Sequence, residues 1–130
     1  MTIFTLSFAP APHEIDELGH VNNAVWVRWI QDLATAHWKA LADPAHVAAY
    51  IWMVTRHEID YRGNIGLGES VTGGTWLREA PKGAQFDRHV EFTDARGKSL
   101  VRAKTRWAMI SRDTGRLVRI PADLAAIFLA

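Results

Sequence analysis

The spacing of apolar and polar residues predicts one long helix in the first third of the chain. Between residues 23 and 41 most positions are apolar, and the polar ones recur three or four residues apart, which puts them on one narrow stripe. The stripe consists of Arg28, Gln31, Asp32, Thr35 and Lys39. Asp43-Pro44 is predicted to end the helical region. A helix with so large an apolar surface must be covered, and in so short a chain the available cover is a sheet.

Alternating apolar and polar residues predict that sheet. Residues 2–9 are predicted to form a strand that ends before two prolines, and after about residue 50 only strands and turns are expected. The strand candidates are residues 51–62, 69–79, 84–94 and 98–111. In residues 98–111 apolar positions alternate with Arg102, Lys104 and Arg106, which is typical of a half-buried antiparallel strand. The predicted fold class is α+β, with a curved antiparallel sheet wrapped around one long central helix.

Length and composition narrow the possible functions. The 130 residues fit a single domain over positions 1–130. The absence of cysteine excludes disulfides, thiolate metal sites and cysteine nucleophiles, and a net charge of +1 gives no general attraction to nucleic acid. The N-terminus does not resemble a signal peptide, and no apolar run approaches the roughly 20 residues that span a bilayer. A cytoplasmic location without membrane contact is therefore expected.

The six histidines do not have the spacing of metal ligands. No glycine-rich phosphate loop links a strand to a helix either. Neither a metal nor a cofactor is expected.

Residues 13–23 hold most of the candidate chemistry, because acidic, histidine and asparagine side chains crowd the segment that leads into the helix. A helix N-terminus offers free N–H groups and a partial positive charge, which would stabilise a carbonyl oxygen as it becomes negative. A carboxylate just upstream, such as Asp16, could attack that carbonyl or activate a water. A hydrolase site can be built in this way without serine, cysteine or metal.

Residues 16–26 (DELGHVNNAVW) resemble the D-x-x-G-H-V-N-N-x-x-Y signature of the 4-hydroxybenzoyl-CoA thioesterase branch of hotdog-fold proteins. A similar stretch occurs in acyl-ACP thioesterases. Residues 57–61 (HEIDY) resemble the H/R-x-E-I-D-Y strand of the same family, and residues 119–121 (RIP) resemble its usual ending. The resemblance follows nearly the whole chain in order.

The resemblance implies a hotdog fold, a homodimer or a tetramer, and thioester hydrolysis. Asp16 matches the catalytic carboxylate, which acts as nucleophile or general base in different members. Asn23 matches the position whose backbone N–H polarises the thioester carbonyl, and Gly19 the glycine that lets the loop pass close to the acyl group. His20 and Asn22 match positions that shape the loop or the site.

Three positions depart from the family pattern. Trp26 stands where tyrosine is usual, Glu14 where aspartate is common, and residues 62–64 (RGN) where a proline-containing turn often follows. All three bear on substrate choice. Trp26 is a candidate contact for the acyl group; the alternative, which is the more common role for tryptophans at such helix positions, is that Trp26, Trp29 and Trp38 belong to the core.

Several cations are candidates for the CoA phosphates, since the guanidinium group presents a fork of donors. The candidates are Arg62, Arg88 and Arg106. The alternative to phosphate binding is that Arg102, Lys104 and Arg106 form a solvent-exposed face of their strand. Asn22 and Asn23 are likewise explained as helix caps, and Asp16 as a turn residue.

The sequence thus predicts a hydrolase acting on an acyl-CoA or an acyl-ACP, with Asp16 as the reacting carboxylate. One alternative is a hotdog dehydratase or hydratase of 3-hydroxyacyl thioesters that uses Asp16 and His20 as an acid/base pair. The other is a module that binds acyl-CoA without turnover.

Overall fold

A computed structural model describes residues 2–130 of the chain. It contains five strands, β1 (Phe4–Phe8), β2 (Tyr50–Tyr61), β3 (Val71–Trp76), β4 (Gln85–Thr93) and β5 (Ser99–Ser111). Its α-helices are α1 (Asn23–Leu41), α2 (Pro44–Ala49) and α3 (Ala122–Leu129), and a 3-10 turn spans Pro12–Glu14. The strands form one antiparallel sheet in the order β1-β3-β4-β5-β2. The predicted α+β class and all five predicted strands are confirmed.

Helix α1 has the predicted limits, and its polar stripe is exposed as expected. Its opposite side is buried: Trp26, Ile30 and Leu33 lose all contact with solvent. They pack with Val90 and Phe92, which belong to the inward-facing row of β4. Burying large side chains in this way supplies the main driving force for folding.

Two short helices were not predicted. Asp43-Pro44 does end α1, but the Asp43 carboxylate also accepts a hydrogen bond from the Ala45 N–H, so that it caps α2 with Pro44 in the first turn. The expectation that only strands follow residue 50 is wrong for α3. Helix α3 buries Leu124, Ala125 and Phe128 in a second core cluster beside the C-terminal half of α1. Within residues 2–130, none of the helices is both long and apolar enough to cross a membrane.

One charged side chain lies inside the core. Arg88 is 4% exposed and occupies the inward-facing row of β4, where neighbouring positions of that row are apolar. Its Nη1 donates to Nδ1 of His37 on α1 (2.7 Å) and to the hydroxyl of Thr75 on β3 (3.1 Å). Because a guanidinium only donates, Nδ1 of His37 must be unprotonated. Burial, together with the adjacent Arg88 charge, lowers the pKa of His37 to about 4.

A glycine allows α1 to approach the sheet closely. A Cβ at Gly73 would lie 2.8 Å from Phe92, 3.0 Å from Phe8 and 3.2 Å from Leu33. The Phe92 and Leu33 side chains are fully buried, so they have little room to move aside. At the next residue, Gly74, a Cβ would meet the exposed Ile3 side chain at 3.1 Å.

We expect Gly73→Ala to lower the free energy of unfolding by about 1–3 kcal/mol, since it overpacks the contact between α1 and the sheet. Gly74→Ala on the same strand is the matched control and should cost about 0.5 kcal/mol or less, because Ile3 can rotate away. Urea unfolding of both variants provides the measurement. If both variants lost the same free energy of unfolding, the close approach of α1 would not explain the glycine at position 73.

The second prediction concerns pH. Between pH 6.5 and pH 4 the unfolded chain takes up a proton at residue 37 and the folded chain does not. The contribution of the neutral His37 to the free energy of unfolding should therefore be fully present above pH 6.5. It should be lost as the pH falls from 6.5 to 4, and the loss should reach roughly 3 kcal/mol.

Urea unfolding at pH 7.5 and pH 4.5 tests this in the wild type and in His37→Gln, whose amide oxygen can still accept from Arg88. The pH dependence should be smaller in His37→Gln. The control variant His13→Gln, at an exposed histidine, should keep the pH dependence of the wild type. An unchanged pH dependence in His37→Gln would contradict the assignment.

Candidate active site at the start of the long helix

A small closed loop presents Asp16 just before α1. Ile15 pairs with Val21 in an isolated antiparallel bridge, so residues 16–20 form its tip. The Asp16 N–H donates to the His20 carbonyl (2.7 Å), and the Gly19 N–H donates to the Asp16 carbonyl (3.0 Å). Gly19 has a φ of 77°, a backbone conformation that glycine adopts without strain. The loop is therefore ordered by its own backbone.

The Asp16 side chain is held in one orientation by two backbone donors. Its Oδ1 accepts from the N–H groups of Leu18 (2.9 Å) and His20 (3.1 Å). Among residues 2–130, nothing donates to Oδ2, and the residue is partly exposed. One oxygen thus fixes the carboxylate and the other is available to a ligand or a water.

The base of the loop is anchored at two further places. Glu14 is buried, pairs with Arg28 of α1 and accepts a hydrogen bond from the Ala11 N–H (2.8 Å). Its carbonyl accepts from the Asn22 N–H (3.0 Å), which joins the loop to the residue that begins the helix. The ion pair fixes the direction in which the chain enters α1.

Asn64 provides the second anchor and was not among the sequence candidates. Its Nδ2 donates to the Val21 carbonyl (3.0 Å), and its Oδ1 accepts from the N–H groups of Val21 (3.2 Å) and Ile65 (2.8 Å). The side chain thereby pairs with the backbone of Val21 as a strand would. In the sequence, Asn64 was noticed only because residues 62–64 depart from the proline-containing turn of the family. That departure did not indicate that Asn64 would bond to Val21.

The start of α1 presents an unpaired backbone donor. The side chain of Asn22 caps the helix by accepting from the Ala24 N–H (2.9 Å), and its carbonyl accepts from the Val25 N–H (2.9 Å). Within the described part of the chain the Asn23 N–H has no acceptor. Asn22 is thus a cap, and Asn23 leaves its amide free for a ligand oxygen.

The other loop candidates are placed differently. The His20 side chain is exposed and has no hydrogen bond to residues 2–130, so it meets Asp16 only through its backbone. Trp26 is completely buried, with its ring edge-on to Trp29 and Phe92. The structure therefore puts Trp26 in the core and leaves His20 on the surface.

The three arginine candidates are not brought together. Arg62 is exposed directly after β2, next to Tyr61, whose hydroxyl donates to the Asn23 carbonyl (3.5 Å). Arg106 forms a two-bond pair with Asp87 on the outer face of the sheet. Arg88 is the buried residue described above and does not reach the surface beside the loop. The charge of Arg62 acts on Glu91 of β4, and no contact of its side chain with the start of α1 is present in the described residues.

An apolar cavity lies elsewhere in the chain, beside the C-terminal half of α1. It has a volume of about 270 Å³, and the part of α1 that lines it is Ala34, Thr35, Trp38 and Lys39. Ala34 is eleven residues beyond Asn23, which is about 16 Å along a helix axis. In one chain the tip of the Asp16 loop, residues 17–20, and the start of α1 at Asn23 are an exposed, open surface. No cluster of three potential metal-binding side chains occurs in the described residues.

Comparison with known proteins agrees with this architecture. A family model described as the thioesterase-like superfamily matches residues 10–128. Over 75 residues, which are 57% of this chain, the sequence is 32% identical to the chloroplastic acyl-[acyl-carrier-protein] hydrolase FATB3 of Cuphea viscosissima. The match spans only 18% of that plant protein's length.

Solved structures show the same fold. A predicted thioesterase from Bacillus stearothermophilus superposes with a TM-score of 0.85 at 21% identity, covering 99% of this chain and 98% of that one. The Staphylococcus aureus protein SAV2348, in complex with CoA, has a TM-score of 0.83 at 15% identity, with 96% and 80% coverage. These similarities confirm the predicted hotdog fold, and the family match confirms the predicted relationship to the thioesterase family. By its sequence and its architecture, the chain belongs to the thioesterase-like superfamily.

Proposed function

We propose that this protein hydrolyses acyl-CoA thioesters, with the reaction taking place between Asp16 and the free N–H of Asn23. The observation that carries the proposal is the pairing of an oriented carboxylate with an unpaired helix N-terminal amide on either side of the Ile15–Val21 bridge. These are the two groups that hydrolysis of a thioester needs when there is no serine or cysteine nucleophile.

In this mechanism the thioester carbonyl oxygen accepts a hydrogen bond from the Asn23 N–H. Negative charge builds on that oxygen as the tetrahedral intermediate forms, and the partial positive charge at the start of α1 stabilises it. The fixed Asx turn keeps Oδ2 of Asp16 available to remove a proton from water or to attack the carbonyl carbon. With Asp16 as base, the oxygen of water forms the new C–O bond and the C–S bond breaks; with Asp16 as nucleophile, the C–S bond breaks as a mixed anhydride forms, and water then opens the anhydride. In both routes a proton from water goes to the sulfur, so that CoA leaves as the thiol and the acid is released.

The dehydratase alternative has less support. It requires Asp16 and His20 to act as a side-chain acid/base pair. The His20 side chain is exposed and makes no hydrogen bond to Asp16. Hydrolysis requires a carboxylate and a hydrogen-bond donor for the carbonyl oxygen, which the Asp16 side chain and the Asn23 N–H can supply.

The carrier and the location are part of the same proposal. One similar structure is a CoA complex, and the plant relative is named as acting on acyl-[acyl-carrier-protein]. Arg62 is exposed directly after β2, and its guanidinium is proposed to pair with a CoA phosphate. A cytoplasmic location, where CoA thioesters are made and used, remains the prediction from the sequence.

We also propose that the active protein is a homodimer. Strand β2 is an edge of the sheet and offers twelve residues without a partner on one side. It exposes Ile51 (41%), Met53 (50%) and Tyr61 (42%), an apolar edge that would otherwise favour aggregation. A second copy paired antiparallel along β2 would remove this edge from water and add walls to the open surface beside Asn23.

The substitution Asp16→Asn tests the chemistry. It should lower kcat for an acyl-CoA substrate by roughly 10²–10⁴-fold while binding is retained, because asparagine preserves the turn but has no carboxylate. Thiol release measured with a panel of acyl-CoAs gives the rate, and enoyl absorbance reports any dehydration. The neighbouring exposed acid in Glu17→Gln is the matched control and should keep the wild-type rate. Comparable rates for Asp16→Asn and the wild type would remove Asp16 from the mechanism.

The substitution Met53→Glu tests the dimer. A carboxylate in the middle of the proposed strand pair should convert the protein to a monomer and lower its activity, since the site loses the partner's walls. Sedimentation velocity reports the mass. Ile127→Glu on α3, also at an exposed apolar position, should leave the protein dimeric. A monomeric wild type with full activity would refute the dimer.

A further inference from the structure

The cavity beside the C-terminal half of α1 contains a cation without an acidic partner, Arg88, whose guanidinium carbon lies 5.6 Å from the centre of the Phe86 ring. It is lined mostly by apolar and aromatic side chains from the C-terminal half of α1, the start of β2 and α3. The charged residues in its lining are Lys39, Arg88 and Arg112, and all three are positive. The cavity thus combines an apolar wall with charge of one sign.

Arg88 has no ionic partner among residues 2–130. No carboxylate lies within 4.0 Å of its guanidinium, whereas Arg28, Arg102 and Arg106 each have an acidic partner. Its two hydrogen bonds both leave from Nη1 and go to neutral acceptors. The Nε atom is buried and donates to nothing in the described chain. Burial without a counter-charge lowers the pKa of Arg88 to about 9.

A purely structural role for Arg88 would explain its hydrogen bonds but not its buried positive charge. The Nη1 bonds do link β4 to α1 and β3, but a neutral donor could make the same link to His37 and Thr75. A guanidinium without an anion costs free energy to bury, and an anion placed beside it would offset that cost. The apolar surroundings strengthen any such pairing.

We propose that this cavity binds a hydrophobic carboxylate, with its carboxyl group on the free side of the Arg88 guanidinium and its apolar body among the aromatic rings. Trp38, Trp52, Phe86 and Phe128 already pack edge-on or stacked against one another there, leaving an apolar slot. The volume of about 270 Å³ lies at the small end for ligand sites, which favours a medium-length chain or a single ring.

Two sources share this chemistry. One is a free monocarboxylic acid, the product class of the proposed hydrolysis. The other is the far end of an acyl group that carries a second carboxylate, reaching the cavity from an Asp16 loop. The second source depends on the proposed function, whereas binding of the free acid does not.

Calorimetry with octanoate and with 1-octanol, which has the same chain without the charge, tests the site in the intact protein. We expect saturable octanoate binding at least about tenfold tighter than octanol binding, a difference that one charge-assisted hydrogen bond can supply. Fluorescence of the three cavity tryptophans, Trp38, Trp52 and Trp107, should change with the same saturation curve. Equal affinities, or no binding of octanoate, would overturn the proposal.

Two variants locate the site. Arg88→Met should fold, since an apolar side chain replaces a buried charge, and it should lose the preference for octanoate. Retention of the preference in a folded Arg88→Met would also overturn the proposal. If Arg88→Met does not fold, the comparison of octanoate with octanol in the wild type still tests the proposal. Asp16→Asn should bind octanoate as the wild type does, even if the proposed hydrolysis fails.

Measuring the hydrolysis of two CoA thioesters distinguishes the free acid from an acyl group that ends in a second carboxylate. If the acyl tail supplies the carboxylate, the CoA thioester of octanedioic acid should be hydrolysed with a higher kcat/KM than octanoyl-CoA, and Arg88→Met should reverse that order. If octanoate binds but the two thioesters react alike, the ligand is the free acid. Both results support the cavity as a carboxylate site, provided that the octanoate preference is seen.

Discussion

The apolar surface of α1 is the constraint on which the rest of the structure depends. Side chains such as Trp26, Ile30 and Leu33 are fully buried, and no single neighbouring strand is wide enough to cover them. The sheet therefore packs along the helix, and Gly73 brings the backbone of β3 close to Leu33. Because the apolar side of α1 is occupied by packing, the candidate sites lie near its two ends.

The two ends of the helix have opposite chemical character. At its start the loop around Asp16 and the free Asn23 amide offer an acceptor and a donor close to solvent, held by the Glu14–Arg28 pair and by Asn64. Near its end an apolar cavity contains cations and no acid. The first arrangement suits a reacting carbonyl, and the second suits a carboxylate with an apolar body. An acyl thioester and the acid that it releases present those two groups.

Two buried charged side chains, Glu14 and Arg88, differ in their partners. Glu14 is buried but is matched by Arg28 and by the Ala11 N–H, so its charge orders the loop at little cost. Arg88 is buried without an acid, and the neutral His37 only accepts one of its protons. A fold keeps such an unmatched charge at the expense of stability, which is why we associate Arg88 with a ligand rather than with the scaffold.

The sequence by itself determined the α+β class, the limits of α1, the five strands and the loop that carries Asp16. Those features follow from local periodicity, from capping residues and from a motif of consecutive residues, all of which can be read along the chain. It did not reveal α2 or α3, since short helices gain their stability from packing against distant residues. Only the tertiary structure decided that the Asn64 side chain would bond to the backbone of Val21 and that Arg88 would meet His37. Each of these depends on contacts between residues far apart in the chain, and no local pattern records which side chains such contacts will bring together.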